Sequence, residues 1–323
     1  MHSRSPAVPS PHAPLHAPLH ILTPLLESAA LSRPGQAVWL KMEALQPAGS
    51  FKSRGVGHAC SVYARAGARR FVSSSGGNAG IACAYAGRTL GIPVTVVVPE
   101  TASARAIELI RREGARLIVH GASFQEANEH AQSLLTATCA FIHPFDDPLL
   151  WEGHASMIDE VAAAGVRPDA VVLSVGGGGL LCGVVEGLRR HGWDQVPVIA
   201  VETAGAASLA AALAADALVS LPAITSIATS LGARRVAQAA FDVARVHPVR
   251  STVVTDGAAV AACLRFIDDH RVVVEPACGA ALAAVYEGTA LAGFDNVLVI
   301  VCGGVTATVA QLQQWAATLP HPG

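Results

Sequence analysis

From residue 37 onward, short apolar runs alternate with longer segments whose apolar residues recur at helical spacing. Runs such as "AVWLKME", "IPVTVVVPE" and "NVLVIVCGG" are rich in β-branched residues, as is typical of buried strands. Segments such as "NAGIACAYAGRTLG" and "ASARAIELIRREGA" have helical periodicity and reach a glycine near their ends. Apolar strands separated by helices indicate parallel sheets that are covered on both faces. The pattern therefore predicts an α/β fold.

The length of 323 residues favours about two domains. One segment, "FIHPFDDPLLWEGH" at 141–154, is dense in proline and aspartate and interrupts the alternation, so we interpret it as a crossover. We expect a small domain over 44–145 and a large domain formed by 19–43 together with 146–323. Residues 1–18, rich in proline and histidine, are expected to form a flexible tail; metal binding by its histidines is an alternative.

Composition excludes several classes of function. The chain is 52% hydrophobic and 14% charged, with a net charge of -2 and no basic block, which argues against nucleic acid or an anionic membrane surface as partners. Its longest uncharged stretches are broken by glycines or proline, unlike membrane spans. Seven scattered cysteines without Cys-x-x-Cys spacing, and no secretory signal, indicate reduced thiols in a cytoplasmic protein rather than disulfides or zinc.

Lysine is scarce in this chain, which contains only Lys41 and Lys52. Lys52 lies in the turn-like stretch "PAGSFKSRG". Unlike a guanidinium, a lysine amine can lose its proton, attack a carbonyl and form an imine. The alternative is that Lys52 is an ordinary surface charge. Arginine in place of Lys41 is expected to be nearly silent.

Three loops follow predicted strands, at the end of the sheet where open α/β folds bind ligands: 73–80, 174–183 and 301–304. Four glycines at 176–179 allow close backbone approach and direct N–H groups to one point at a helix start, which suits a phosphate. Their spacing matches neither a dinucleotide fingerprint nor a P-loop, and a plain flexible loop is the alternative.

The loop "SSSGGNAG" offers hydroxyls, an amide and bare N–H groups, which suit a small carboxylate. It also fits a helix start capped by serine or asparagine. A reactive lysine, a phosphate loop and a carboxylate loop on one α/β scaffold together indicate pyridoxal phosphate (PLP) held as an imine.

Several motifs carry a family resemblance, among them "KMEALQPAGSFKSRG", "SSGGNAGIACAYAGRTLGIPVTVVVPE", "PFDDPLLWEGHAS", "SVGGGGLLCGVVEGL" and "VEPACGAALAAVY". From about residue 20 to the C-terminus the chain resembles the fold-type II PLP enzymes related to the tryptophan synthase β-subunit. The resemblance is closest to the L-serine dehydratase/L-threonine deaminase group. It implies two domains, each with a mainly parallel sheet covered by helices.

The resemblance also implies how the cofactor would be held. Lys52 would form the imine, Phe51 would pack against the pyridine ring, and Asn78 would hydrogen-bond the 3′ oxygen. Cys302 would face the pyridine nitrogen. The phosphate would be bound by the backbone N–H groups of Gly176, Gly177, Gly178, Gly179 and Leu180.

In similar enzymes the substrate carboxylate is bound by the loop that here contains Ser75, Gly76 and Asn78. Similar enzymes also bind a monovalent cation, and they are usually homodimers. The matching potassium ligands are the Glu202 side chain and the carbonyls of Ala206, Leu231 and Ala233.

Two positions depart from the family pattern. Ser230 would meet the opposite face of the ring, where the better-studied liver enzymes carry alanine. After "VCGG" the chain continues "VTAT" rather than the usual Ser-Asn, so the residues that follow Cys302 differ from the family pattern.

The expected reaction is a β-elimination that converts L-serine to pyruvate and ammonia, and L-threonine to 2-oxobutanoate and ammonia. Lys52 would act as the general base for the α-proton. The thiol of Cys302 is a weak donor that cannot hold a protonated ring as a carboxylate would, which favours prompt loss of hydroxide. The alternative for Cys302 is a small buried apolar residue.

Other functions remain open from sequence. Serine racemase, threonine synthase and cysteine synthase share the fold, although the last typically has Lys-Asp where this chain has Lys52-Ser53. Similar racemases carry serine at the position of Gly76, which here has no side chain to act as an acid. A PLP-binding protein with little turnover is the alternative outside these enzymes.

Overall fold

The computed structural model describes residues 17–319. The predicted flexible tail, 1–18, lies outside these residues except for its last two positions. Within 17–319, none of the helices combines the length and the apolar character that crossing a membrane requires.

Ten strands and eleven α-helices alternate along the described chain. The strands are β1 Leu25–Glu27, β2 Ala37–Lys41, β3 Arg70–Ser73, β4 Val94–Val98, β5 Arg116–Val119, β6 Cys139–Phe141, β7 Ala170–Ser174, β8 Val198–Thr203, β9 Val249–Val254 and β10 Asn296–Ile300. The helices are α1 Lys52–Arg65, α2 Asn78–Leu90, α3 Ala104–Arg112, α4 Phe124–Ser133, α5 Pro148–Ala163, α6 Gly179–Arg190, α7 Ser208–Ala215, α8 Gln238–Val246, α9 Asp256–His270, α10 Pro276–Glu287 and α11 Val309–Thr318.

The strands form two separate sheets. The larger sheet has the order β1-β2-β10-β7-β8-β9, and the smaller has the order β5-β4-β3-β6. Every pair of neighbouring strands is parallel except β1 and β2. Strands β4, β7 and β8 are buried at every position, as expected for parallel strands with helices on both faces. The predicted α/β class with mainly parallel sheets is confirmed.

Strand β2 comes early in the chain but lies in the larger sheet, beside β10. The smaller sheet is built entirely from strands between residues 70 and 141. This arrangement is consistent with the expected domain boundaries, which stay a prediction.

The segment interpreted as a crossover is partly helical. Helix α5 begins at Pro148, and the Asp147 side chain before it accepts a hydrogen bond from the Leu149 N–H at 2.9 Å. An aspartate cap followed by proline at the first helical position is a strong helix start. Residues 148–154 therefore belong to a helix that packs against both α1 and α6.

All seven cysteines are free thiols. Six are buried, and Cys139, at the start of β6, is half-buried. No cluster of three or more histidine, cysteine or acidic residues within 17–319 is arranged to hold a metal ion.

Candidate active site

Lys52 is the first residue of α1, and its amine is buried. The amine donates a hydrogen bond to the Pro144 carbonyl at 2.6 Å and lies 4.8 Å from the centre of the Phe51 ring. Burial lowers the pKa of Lys52 to about 8, although Cys302 acts in the opposite direction. The bonded carbonyl is neutral and supplies no counter-charge, and a pKa of about 8 leaves roughly a tenth of the amine unprotonated at about pH 7.

The loop after β10 runs beside this lysine. The Phe51 N–H donates to the Cys302 carbonyl at 2.9 Å, and Ser50 forms an isolated antiparallel bridge with Gly303. Cys302 itself is buried, and its thiol contact with Cys278 together with burial raises the pKa of Cys302 well above its ordinary value. Cys302 is therefore held as a neutral thiol beside Lys52.

The four glycines sit where no side chain fits. A Cβ at Gly177 would lie 2.2 Å from the Phe145 ring, and one at Gly179 would lie 2.7 Å from the Phe145 carbonyl oxygen. Gly178 has a φ of +93°, a left-handed conformation that favours glycine. Gly176 lies against the backbone of Ser230 and Leu231. The four glycines are thus closely packed by their neighbours, and only their backbone atoms could contact a ligand.

The backbone donors of this loop are free. None of the N–H groups from Gly176 to Leu180 has an acceptor within the described part of the chain, and α6 begins at Gly179. Five unpaired N–H groups at the positive end of a helix dipole form an anion-binding cradle. Such a cradle would suit a phosphate group.

The loop after β3 forms a second cradle. Ser75 Oγ accepts the Gly77 N–H at 3.3 Å, which leaves its hydroxyl hydrogen available. Within residues 17–319, the N–H groups of Ser75, Gly76 and Asn78 have no acceptor. The position a Cβ would occupy at Gly77 is open space. A hydroxyl and bare N–H groups around an open position suit a small carboxylate.

Asn78, the first residue of α2, connects these loops. Its Nδ2 donates to Glu275 Oε1 at 2.7 Å and approaches Ser230 Oγ at 3.5 Å. Its Oδ1 is buried and has no hydrogen-bond partner among the described residues. Ser230 in turn adjoins Gly176, so contacts run from the loop of Cys302 and Gly303 through Asn78 to the glycines at 176–179.

Sequence reasoning missed two residues of this site, Glu275 and His154. Glu275 lies inside the motif "VEPACG". It could have been found from the sequence as an acidic residue that directly precedes a helix-starting proline. His154, also within a family motif, packs its ring 4.8 Å from that of Phe51 and accepts the Gly55 N–H at 3.2 Å. Burial, then the charges of Lys52 and Arg54, lowers the pKa of His154 well below its ordinary value, so the ring is neutral.

Lys41 lies in a different environment from Lys52. Its amine donates to the Thr23 carbonyl at 2.7 Å and forms an ion pair with Glu160. Arg54 joins the same network through Glu43 and Glu160, each at 2.7 Å. Both basic side chains are fully buried. Lys41 therefore belongs to a buried charge network rather than to an exposed surface.

Two of the predicted potassium ligands lie at the end of β8, Glu202 within the strand and Ala206 in the loop after it. Both Glu202 oxygens accept backbone N–H groups, from Leu209 and Ala210, at 2.8 Å. Burial raises the pKa of Glu202 to about 7, against the effect of these two hydrogen bonds. Ala206 and Leu231 are buried, whereas Ala233 is not. Glu202 is thus a buried acid whose two partners are neutral.

Comparison with known proteins identifies the family. A family model described as pyridoxal-phosphate dependent enzyme matches residues 17–303. The chain belongs to this family. The free N–H cradle, the amide of Asn78 and the buried amine of Lys52 fit the phosphate, ring oxygen and aldehyde of pyridoxal phosphate.

Individual members of the family are similar over nearly the whole chain. Human L-serine dehydratase/L-threonine deaminase is 50% identical, covering 92% of this chain and 94% of the human protein. The crystal structure of a fungal L-serine ammonia-lyase from Rhizomucor miehei superimposes with a TM-score of 0.86 at 35% identity, covering 93% and 99% of the two chains. Maize serine racemase gives a TM-score of 0.85 at 26% identity, with 92% of each chain covered.

Proposed function

We propose that this chain is a PLP-dependent ammonia-lyase that converts L-serine to pyruvate and ammonia and L-threonine to 2-oxobutanoate and ammonia. The observation that carries the proposal is the buried Lys52 amine, whose pKa of about 8 leaves it able to act as a base between two anion cradles. The 50% identity to a human serine dehydratase supports this reaction over others of the family.

Binding of the cofactor follows from the free donors. The N–H groups from Gly176 to Leu180 would hold its phosphate, Phe51 would pack on the ring, and Asn78 would donate to its 3′ oxygen. The bound cofactor supplies an electron-withdrawing ring that stabilises negative charge at the substrate α-carbon. Cys302, a neutral thiol, would face the ring nitrogen without protonating it.

The substrate carboxylate would be oriented by the Ser75 hydroxyl and the N–H groups around Gly76 and Asn78. That placement directs the α-carbon toward the Lys52 amine, which takes the α-proton as general base. The hydroxyl group on the β-carbon then departs, and together with the proton removed from the α-carbon it accounts for the one water released. The resulting enamine product hydrolyses to the 2-oxo acid and ammonia.

Racemisation needs an acid on the face opposite Lys52. Gly76 has no side chain, and a Cβ there would lie 3.1 Å from the Ala102 Cβ and 3.4 Å from the Val98 Cβ. The surroundings of Gly76 are thus apolar. General acids contribute about 10²–10⁴-fold to rate, so we expect elimination to exceed racemisation by a similar factor.

The test is product analysis with L-serine, L-threonine and their D-isomers. A coupled keto-acid assay should detect pyruvate and 2-oxobutanoate from the L-isomers, and chiral chromatography should find negligible D-serine. D-serine in a yield rivalling pyruvate would indicate a racemase instead. Visible cofactor absorbance without release of either keto acid would indicate a low-turnover binding protein.

A potassium ion is proposed beside the phosphate loop, held by the Glu202 side chain and the carbonyls of Ala206, Leu231 and Ala233. Its support is the raised pKa of Glu202. A cation would stabilise the charged form of this buried acid, whose hydrogen-bond partners are neutral. Exchange of potassium for tetramethylammonium should weaken PLP retention, and Glu202→Ala should abolish that ion dependence. Retention indifferent to both changes would contradict the site.

We also propose that the protein is a cytoplasmic homodimer. The free thiols support a reducing compartment, and the dimer rests on the resemblance to similar enzymes. Light scattering of the purified protein at several concentrations tests the dimer, and a monomer throughout that range would contradict it.

A further inference from the structure

Glu275 is a buried carboxylate that bridges three segments of the site. Its Oε1 accepts a hydrogen bond from Asn78 Nδ2 at 2.7 Å, and its Oε2 accepts one from the Thr306 hydroxyl. Only 2% of its surface is exposed. Asn78 begins α2 beside the smaller sheet, whereas Thr306 follows β10 of the larger one. The carboxylate therefore links the substrate loop to the loop that carries Cys302.

Among residues 17–319, no cationic side chain is bonded to Glu275. The two groups bonded to Glu275 are a neutral amide and a neutral hydroxyl. Glu275 is also the residue immediately before α10, where the helix dipole favours negative charge. Gly303 lies beside this contact: a Cβ there would stand at van der Waals distance from both groups, 3.5 Å from Asn78 Nδ2 and 3.6 Å from Glu275 Oε1.

A carboxylate accepts hydrogen bonds and donates none, so it dictates which way an amide faces. Asn78 must therefore turn its nitrogen toward Glu275 and donate one of its two N–H hydrogens to the carboxylate. The second N–H then lies on the side of Ser230, whose Oγ is 3.5 Å from Nδ2. If the amide rotated by half a turn, two acceptor oxygens would face each other.

We propose that Glu275 is a positioning residue that fixes the amide of Asn78 so that an N–H, not the oxygen, is presented to the cofactor's ring oxygen. Thr306 holds Glu275 in place for this task. The inference rests on the proposed role of Asn78 in cofactor binding, and not on the choice between elimination and racemisation.

The primary test measures PLP affinity of apoenzyme variants by equilibrium ultrafiltration, which requires no turnover. Glu275→Leu removes the acceptor and should weaken PLP binding by roughly 10- to 100-fold, the scale of a hydrogen bond to a charged group. Glu275→Gln can accept or donate, so it no longer enforces one orientation and should fall between wild type and Glu275→Leu. Glu287→Gln, at the exposed end of the same helix, is the matched control and should bind as wild type.

A paired exchange separates positioning from mere stability. Asn78→Asp alone sets two carboxylates against each other and should lower the unfolding midpoint of the apoenzyme. Adding Glu275→Gln restores a hydrogen bond and should restore that midpoint. It should not restore PLP affinity, because the introduced carboxylate would present only oxygens to the cofactor. Recovery of PLP affinity in the double variant would overturn the inference.

Two further outcomes separate this inference from the role of Asn78. If Asn78→Ala weakens PLP binding while Glu275→Leu leaves it unchanged, Asn78 holds the cofactor without help and the inference fails alone. If Asn78→Ala itself leaves PLP affinity unchanged, the proposed role of Asn78 fails, and the inference fails with it.

Discussion

The environments of Lys41 and Lys52 differ in how the buried charge is balanced. Lys41 bonds to Glu160 within a network in which Lys41 and Arg54 face Glu43 and Glu160. Among the described residues, Lys52 bonds only to a neutral carbonyl, that of Pro144, at 2.6 Å. The charge of Lys41 is thus balanced by acidic side chains, whereas no acidic side chain of the described residues is bonded to Lys52.

The difference shows what makes a lysine reactive. Burial alone would raise the pKa of Glu160, but Arg54 and Lys41 outweigh it and lower that pKa, so the acid stays charged and holds the Lys41 proton. At Lys52 no carboxylate from the described part of the chain is bonded, and burial lowers the pKa to about 8. Burial lowers the pKa of both lysines, but Glu160 opposes it at Lys41 and no carboxylate among the described residues does so at Lys52, which leaves the Lys52 amine freer to act as a base.

The largest expected effect is at the uncompensated site. Lys52→Arg keeps the positive charge but cannot release its proton, so turnover should fall by at least the roughly 10²–10⁴-fold contribution of a general base. Visible absorbance of the bound cofactor should also disappear, while circular dichroism remains that of the wild type. Turnover within about tenfold of wild type would contradict the role of Lys52 as general base.

In the compensated network the main effect should be on stability. Arg54→Met would leave Glu43 and Glu160 short of a cation, which typically costs about 3–5 kcal/mol of unfolding free energy for a buried pair. Urea denaturation measures the loss. Arg112→Met, which breaks an exposed pair with Glu108, is the control and should change the free energy by less than about 1 kcal/mol. Equal losses in the two variants would contradict the comparison.

Lys41→Arg tests how tightly the network is packed. The sequence alone predicts a nearly silent substitution, but Lys41 is only 1% exposed. A larger guanidinium should therefore cost about 1–3 kcal/mol through overpacking. Activity per folded molecule should be unchanged. Arg65→Lys, exposed at the end of α1, is the matched control, and an equally small effect at both positions would restore the original expectation.

The smallest effect concerns pH. Only the neutral amine attacks the cofactor's aldehyde, and below its pKa of about 8 the neutral fraction of Lys52 grows as pH rises. Covalent PLP uptake by apoenzyme should thus accelerate roughly tenfold between about pH 7 and 9 and then level off. Free lysine, with a side-chain pKa of about 10.4, should still be accelerating there. A protein rate that rises just as steeply above about pH 9 would refute the lowered pKa.

Much of the site was predictable because its chemistry lies in local motifs. The loops 73–80 and 174–183 each follow a buried strand and precede a helix, so each places its N–H groups at the carboxyl end of its own sheet. The glycine at 178 was also informative, since its left-handed φ of +93° favours that residue type. The roles of the individual site residues stay predictions until the variants are measured.

The remaining features depend on contacts distant in sequence. Asn78 and Glu275 are 197 positions apart, and no periodicity or spacing brings them together. Strand β9 was not predicted, because "VRSTVV" is a partly exposed edge strand without the continuous apolar run of β4 or β8. The burial of Lys41 was missed for the same reason: its partner Glu160 lies on α5, in a segment far along the chain.

The distribution of thiols should allow the protein to be labelled at a single site. Because six cysteines are buried and Cys139 alone is partly accessible, a maleimide dye should label the native protein at one position. That position lies at the start of β6 in the smaller sheet, away from Lys52 along the chain. A fluorophore there would report movement of the smaller sheet during a catalytic cycle without any engineered cysteine.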